Sequence, residues 1–200
     1  MPRPARTTAV DTRARILAVA LDLVSERGFA GTSIRDLAER LDLTTAAMYY
    51  HFSSKDALLD ALVEPLIDAL TDLSARAGSG ELGEVDVLKE LVTVLSGEGA
   101  KVMGVLNGDP SATLRLKARC EPDRMFAGIV RGLARSDNRL ALLRATCAVG
   151  AVQGAVFATS HVHPGRRGSW PGFDDEDRTV VVNAALAALH SKPTRTRKRG

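Results

Sequence analysis

Cysteine is nearly absent from this chain: 200 residues contain two, Cys120 and Cys147. Two thiols cannot staple a small secreted scaffold, and their spacing fits no zinc motif, so they read as small buried hydrophobes in a reducing compartment. Aromatic residues are also scarce, at 4 %. No apolar run approaches the roughly 18 residues of a membrane span, and none follows the basic start closely enough for a secretory signal. The expectation is a soluble, cytoplasmic protein with no membrane contact. Catalytic patterns are missing too: there is no nucleophile elbow, and the Gly-rich stretch 97–108 lacks the Gly-Lys-Ser/Thr ending of a phosphate-binding loop. His161 and His163, with Asp174, Asp175, Glu176 and Asp177 nearby, make a weak metal pattern without cysteine or helical spacing. Those acids fit the start of a helix better, where the dipole favours them. Neither an enzyme nor a cofactor is expected.

A strong charge surplus is likewise lacking. The net charge is +3, and by region residues 1–60 balance eight Lys or Arg against eight acids, the last ten residues carry +5, and the middle carries −2. Bulk charge therefore does not argue for nucleic acid; only the ends are locally basic. Residues 1–10, with Arg3 and Arg6, read either as a disordered arm reaching a minor groove or as a solvated terminus. Residues 191–200 read as a disordered basic tail that adds nonspecific phosphate affinity or only aids solubility.

What the chain does have is a compact pattern at 33–52. Ile34, Leu37, Ala38 and Leu41 recur at helical spacing, with Arg35, Asp36, Glu39 and Arg40 on the opposite face. Ser33 and Asp36 form a capping signal before them. Asp42 then stands where a sharp turn between helices needs a residue that tolerates the left-handed conformation. A second short helix, Thr45 to His51, begins with small side chains and has no formal charge unless His51 is protonated. Two short helices and a turn suit any helical bundle, and Met48 and Phe52 read as core. They also suit a helix-turn-helix, whose second helix enters a major groove about 12 Å wide with its N-terminal residues at the base edges. Thr44, Thr45 and Ala46 have the size and chemistry for that edge, and Tyr49, Tyr50 and His51 can donate to phosphates. Ser53 with Asp56 signals a further helix, placing Lys55 at its positive end, where a phosphate is favoured.

At these residues the chain resembles the TetR family of transcriptional repressors. The resemblance runs from about Arg13 to Leu59, through Ile16 to Phe29, Gly31 to Ala38, Tyr49-Tyr-His-Phe52 and Lys55-Asp-Ala-Leu-Leu59. The family usually has glycine where this chain has Asp42, and Ser or Thr at the position of Thr44. The resemblance implies DNA contacts from Thr32 or Ser33, Thr44, Thr45, Tyr49, His51 and Lys55. It also implies a ligand-sensing body and a homodimer on a palindromic double-stranded operator.

The remainder reads as helix throughout. A helix over Asp11 to Arg27 ends at Gly28, and Lys55 to about Ala77 continues helically with Leu58, Leu59, Leu62, Leu66, Leu70 and Leu73 on its apolar face. Pro65 either kinks this connector or starts a new helix. Gly78 to Gly83 reads as a loop, followed by a buried helix with Val85, Leu88, Leu91, Val92 and Leu95. Four glycines between 97 and 108 indicate a loop or a movable helix. Met103, Leu106, Leu114, Met125, Phe126, Ile129 and Phe157 are candidates to line a cavity for a small, largely apolar effector, or else are ordinary core. Leu140 to about Thr159 is rich in small residues, and 180–189 is apolar over much of its circumference. The pair either forms a dimer interface or completes an intramolecular core. Trp170 would plug the loop between them. The sequence thus predicts an all-α protein with an arm at 1–10, a helix-turn-helix head at 11–60, a ligand-binding and dimerisation body at 61–190, and a tail at 191–200. The function expected is a ligand-responsive repressor; the alternative is a helical ligand-binding or scaffold protein whose head does not read DNA specifically.

Overall fold

The computed structural model describes residues 9–108, 110–119, 122–161 and 173–192. Residues 1–8 of the arm, Cys120, His163, Trp170 and most of the basic tail lie outside them, and Ala9 and Val10, placed in the arm from sequence, begin the first helix. Among the described residues there are ten helices and no strand. The head comprises α1 (Ala9–Arg27), α2 (Ile34–Leu41) and α3 (Thr45–His51). Ile16, Ala20, Leu23 and Val24 of α1 bury one continuous face, and Gly28 closes the helix at φ +77°, where a Cβ would be strained. The stripe foreseen on α2 is buried in full, Leu37 and Ala38 almost completely.

α4 (Lys55–Ser79) is one uninterrupted helix through Pro65, so the proline starts no new element. It runs two residues past the expected stop, taking in Gly78 and Ser79, and the left-handed cap is Gly80 at φ +79°. Its cap at the other end is Ser54, accepting from the Ala57 amide at 3.0 Å, rather than Ser53, because the helix begins at Lys55 and the cap must face the third amide beyond it.

The body continues with α5 (Glu84–Leu95), α6 (Glu98–Gly108), α7 (Pro110–Arg119), α8 (Pro122–Ala134), α9 (Arg139–His161) and α10 (Asp175–Leu189). Two expectations need correction here. On α5 the buried residues are Val87, Leu88, Leu91, Val92 and Leu95, whereas Val85 is exposed: it shares their face in sequence but lies on an uncovered first turn. Of the two readings of the Gly-rich stretch, the helix holds from Glu98 onward as α6, despite the cost of about 1 kcal/mol for each interior glycine. Cys147 is also not a core residue; it faces outward from α9. The acids at 174–177 form the N-terminus of α10, where Asp174 and Asp177 make a reciprocal capping box.

Two pairings dominate the body, α9 on α10 and α4 on α8. The second is unusually close because Gly128 and Gly132 of α8 lie against the backbone of α4 at Ser74 and Ala77. α10 also covers α5, so part of its apolar circumference is intramolecular core. Leu140 and Leu143 of α9 and Val180 of α10 remain exposed, together with Gly150, Gly154 and Ala184. Arg76 on α4 ties α4 to α5: it donates twice to Glu90 at 2.9 Å and also meets Asp72 and Glu81. These carboxylates, Glu90 first, push the guanidinium's pKa above its ordinary value, so it keeps its proton. No helix among the described residues is long and apolar enough to cross a membrane.

Candidate nucleic-acid interface

The turn of the helix-turn-helix is fixed by three local devices. Ser33 accepts from the Asp36 amide at 3.1 Å, while the Asp36 carboxylate accepts from the Ser33 amide at 2.8 Å and from its hydroxyl at 2.6 Å. Those bonds from Ser33 hold the Asp36 carboxyl below the usual carboxylate range. Asp42 closes α2 in the left-handed region at φ 55°, its amide reaching back to Glu39 at 3.4 Å. Thr44 then caps α3, its Oγ1 accepting from the Ala47 amide at 3.1 Å. This bond uses an oxygen lone pair and leaves the hydroxyl hydrogen of Thr44 free to donate.

α3 is anchored from below and open above. Met48 is fully buried and Phe52 nearly so, which leaves the other side of this short helix to solvent. Thr44, Thr45 and Ala46 are exposed. Tyr49 is 52 % and Tyr50 82 % exposed, so both phenols are available to a partner. Half-buried His51 packs edge-on against Tyr50, the ring centroids 5.3 Å apart. Lys55 opens α4 beside this surface, its Nζ 4.3 Å from the Phe29 ring and donating to the Ala30 carbonyl at 3.4 Å. The cation is thereby steered by the turn between α1 and α2, and an ammonium with three donors retains capacity for a phosphate oxygen. No carboxylate lies between Leu43 and Lys55.

One candidate contact does not stand as a side chain. Thr32 is 2 % exposed, and its hydroxyl donates to the Gly28 carbonyl at 2.9 Å. It braces the turn after α1 instead of facing outward. Ser33 is exposed, but its hydroxyl is engaged in the capping box. A residue that sequence spacing overlooked is Arg13, whose guanidinium lies 5.0 Å from the Phe52 ring and brings a positive charge next to the end of α3. An Arg and a Phe thirty-nine positions apart leave no periodic signal.

The body contains a cavity of about 170 Å³ between α4, α6, α7 and α8. Met103, Leu106, Met125 and Phe126 line it, as proposed from sequence. Of the other proposed residues, Ile129 is fully buried core and Leu114 is 71 % exposed on the outer side of α7, while the side chain of Phe157 lies outside the described residues. Sequence reasoning missed Val63, Leu66, Ile67 and Leu70 of α4, and Thr113 and Lys117 of α7. Val63, Ile67 and Leu70 form a second stripe at i, i+4 and i+7 beside the one already noted, which is the signal that α4 buries two faces.

Fold and surface together define an all-helical protein with a helix-turn-helix head and a helical body. Residues 16–62 match the family model of bacterial regulatory proteins, tetR family. The head is thus similar to that of the TetR family. It is 48 % identical over 52 residues to the class A tetracycline repressor of transposon 1721 from Escherichia coli, covering 26 % of this chain and 24 % of that one. Over 94 residues it is 30 % identical to the HTH-type transcriptional repressor KstR2 of Rhodococcus jostii, covering 46 % of each. These matches span less than half the length of the curated relatives. In overall fold it is similar to a transcriptional regulator of Aquifex aeolicus, with a TM-score of 0.66 at 18 % identity over 89 % of this chain and 97 % of that one. A TetR-like regulator from Rhodococcus gives the same score at 20 % identity over 94 % and 100 %.

Proposed function

We propose that this protein is a DNA-binding transcriptional repressor acting as a homodimer on a palindromic operator and released from it by a small effector. The observation that carries the reading is the outer surface of α3: a capped helix whose inner side is locked by Met48 and Phe52 and whose outer side offers Thr44, Thr45, Ala46, Tyr49 and Tyr50. Small residues at the start of such a helix allow close approach to base edges, and phenols, His51 and Lys55 can reach phosphates on either side. Binding by a twofold dimer lets two heads meet successive major grooves about 34–36 Å apart. The exposed apolar residues Leu140, Leu143 and Val180, beside Gly150 and Gly154, supply a face on which a second copy can pack closely. The protein works in the cytoplasm, where its operator is.

Release follows from two helices that touch both cavity and head. α4 begins at Lys55 beside the reading surface and lines the cavity at Val63 to Leu70. α6 lines it with Met103 and Leu106 and pairs with α1 through Lys101 and Asp22 at 2.6 Å. An effector that binds better when these helices are displaced shifts the dimer toward head spacings that miss the grooves. A coupling of about 1–3 kcal/mol changes operator affinity by roughly 5- to 150-fold.

The test is electrophoretic retention of a duplex from the region upstream of the protein's own gene against a scrambled duplex, at several salt concentrations. Selective retention of two protomers per site, lost in Thr45→Ala/Tyr49→Phe while folding is unchanged, supports the reading. Equal retention of both duplexes, abolished by deleting residues 191–200, supports instead a helical binding or scaffold protein whose uncharged α3 does not read sequence.

A further inference from the structure

The chemistry of the cavity wall narrows the ligand, and this inference rests on the reading of that cavity as the effector site. Among the described residues, eight of the ten that line it are apolar, from Val63 and Leu66 on α4 to Met125 and Phe126 on α8. The two polar ones both come from α7 and differ in what they have left to offer. The Thr113 hydroxyl already donates to the Leu106 carbonyl. Lys117 is exposed at the rim, and among the described residues it has no ion-pair partner and no carboxylate lines the cavity. A ligand seated here therefore meets hydrocarbon on nearly every side and one uncommitted cation at the mouth.

We propose that the cavity takes a compact organic monocarboxylate, its hydrocarbon part against α4 and α8 and its carboxylate on the Lys117 ammonium. Three physical arguments converge. A neutral ligand that must donate several hydrogen bonds finds only the Thr113 oxygen as a side-chain acceptor and would lose those bonds on leaving water. An organic cation is repelled by Lys117. An anion gains a charge-assisted contact at the rim, where its outer oxygen stays hydrated and avoids the desolvation penalty of a fully buried pair. Size limits the skeleton: about 170 Å³ is close to the roughly 150 Å³ that holds one benzene ring, and below the roughly 300–1,000 Å³ of pockets for larger ligands. The class is that of benzoate or a short-chain fatty acid.

The experiment is calorimetric titration of the full-length protein with benzoate, benzamide, benzyl alcohol and benzylamine, four probes of similar volume and different charge, with hexanoate as the aliphatic member. Benzoate should bind about two- to fivefold more tightly than benzamide, the modest margin reflecting an exposed cation, with benzylamine weakest. Lys117→Met should reduce benzoate to the benzamide level without changing benzyl alcohol, and Lys117→Arg should keep the preference. Both replacements lie on the surface and leave the packed core intact. If benzamide and benzyl alcohol match benzoate and Lys117→Met changes nothing, the carboxylate assignment is overturned while the cavity reading stands. If no probe binds, or all bind undiminished to an Ile67→Trp variant shown to be folded, the cavity is not the site and both inferences fall.

Discussion

Replacing Gly132 by alanine tests how α8 is held against α4. A Cβ built at Gly132 would stand 2.9 Å from the Ala77 Cβ and nearer still to the Ala77 carbonyl; one at Gly128 would stand 2.8 Å from the Ser74 carbonyl oxygen. Non-bonded carbons rest about 3.5–4.0 Å apart, so either methyl must push the helices apart by about 1 Å. The obstructing atoms are helix backbone and cannot swing aside as a side-chain tip would. Overpacking of this kind costs about 1–3 kcal/mol, against which the better helix propensity of alanine returns about 1 kcal/mol. Gly132→Ala should therefore destabilise by up to about 2 kcal/mol, lowering the melting temperature by up to about 8 °C in a chain of this length. Gly104 is the internal control. It also lies inside a helix, α6, but a Cβ there meets nothing within 4 Å, so Gly104→Ala should stabilise by up to about 1 kcal/mol. Urea titration monitored by circular dichroism reads both. A Gly132→Ala protein as stable as Gly104→Ala would refute the close approach of α4 and α8. The separation should also be felt in the cavity, because Met125 and Phe126 of α8 face Val63, Ile67 and Leu70 of α4 across it.

Other consequences are sharper in sign than in size. The Asp36 carboxyl is held below its unfolded value by Ser33, so its contribution to the head is complete above the unfolded carboxylate range and disappears as pH falls through the lowered folded value. Asp36→Asn should flatten the acid side of the stability–pH profile of the head, and an unchanged profile would remove Asp36 as its source. At Asp42, in the left-handed region, Gly should be tolerated or mildly stabilising, whereas Val should cost about 1–2 kcal/mol by thermal melting. On the proposed dimeric reading, Leu143→Lys with Val180→Lys should give a monomer in sedimentation equilibrium and abolish operator retention while leaving helicity intact. A dimer that survives the pair would place the interface on another face.

Much of the head is determined by residues close in sequence. The capping box at Ser33 and Asp36, the left-handed Asp42, the Thr44 cap and the alternation of buried and exposed faces on α2 are all interactions within one or two helical turns, and local spacing is enough to write them down. The all-α class follows for the same reason, since helical periodicity is a local property. Tertiary packing decided what local spacing leaves open. Thr32 looks like any other hydroxyl in the turn until the end of α1 folds over it, and only then is its donor spent on Gly28. Leu114 and Met125 are equally apolar in the sequence, but the rotation of α7 sends one into solvent and the wall of the cavity takes the other. Val63 and Ile67 become lining residues only because α6, α7 and α8 close around a second face of α4. Lys117 is one cation among many until that closure brings hydrocarbon beside it. Sequence by itself fixed the helices and the reading unit, because each is stabilised by neighbours three or four residues away. Which apolar faces enclose a space, and which stay exposed, depends on contacts between residues tens of positions apart, and these exist only once the helices have packed.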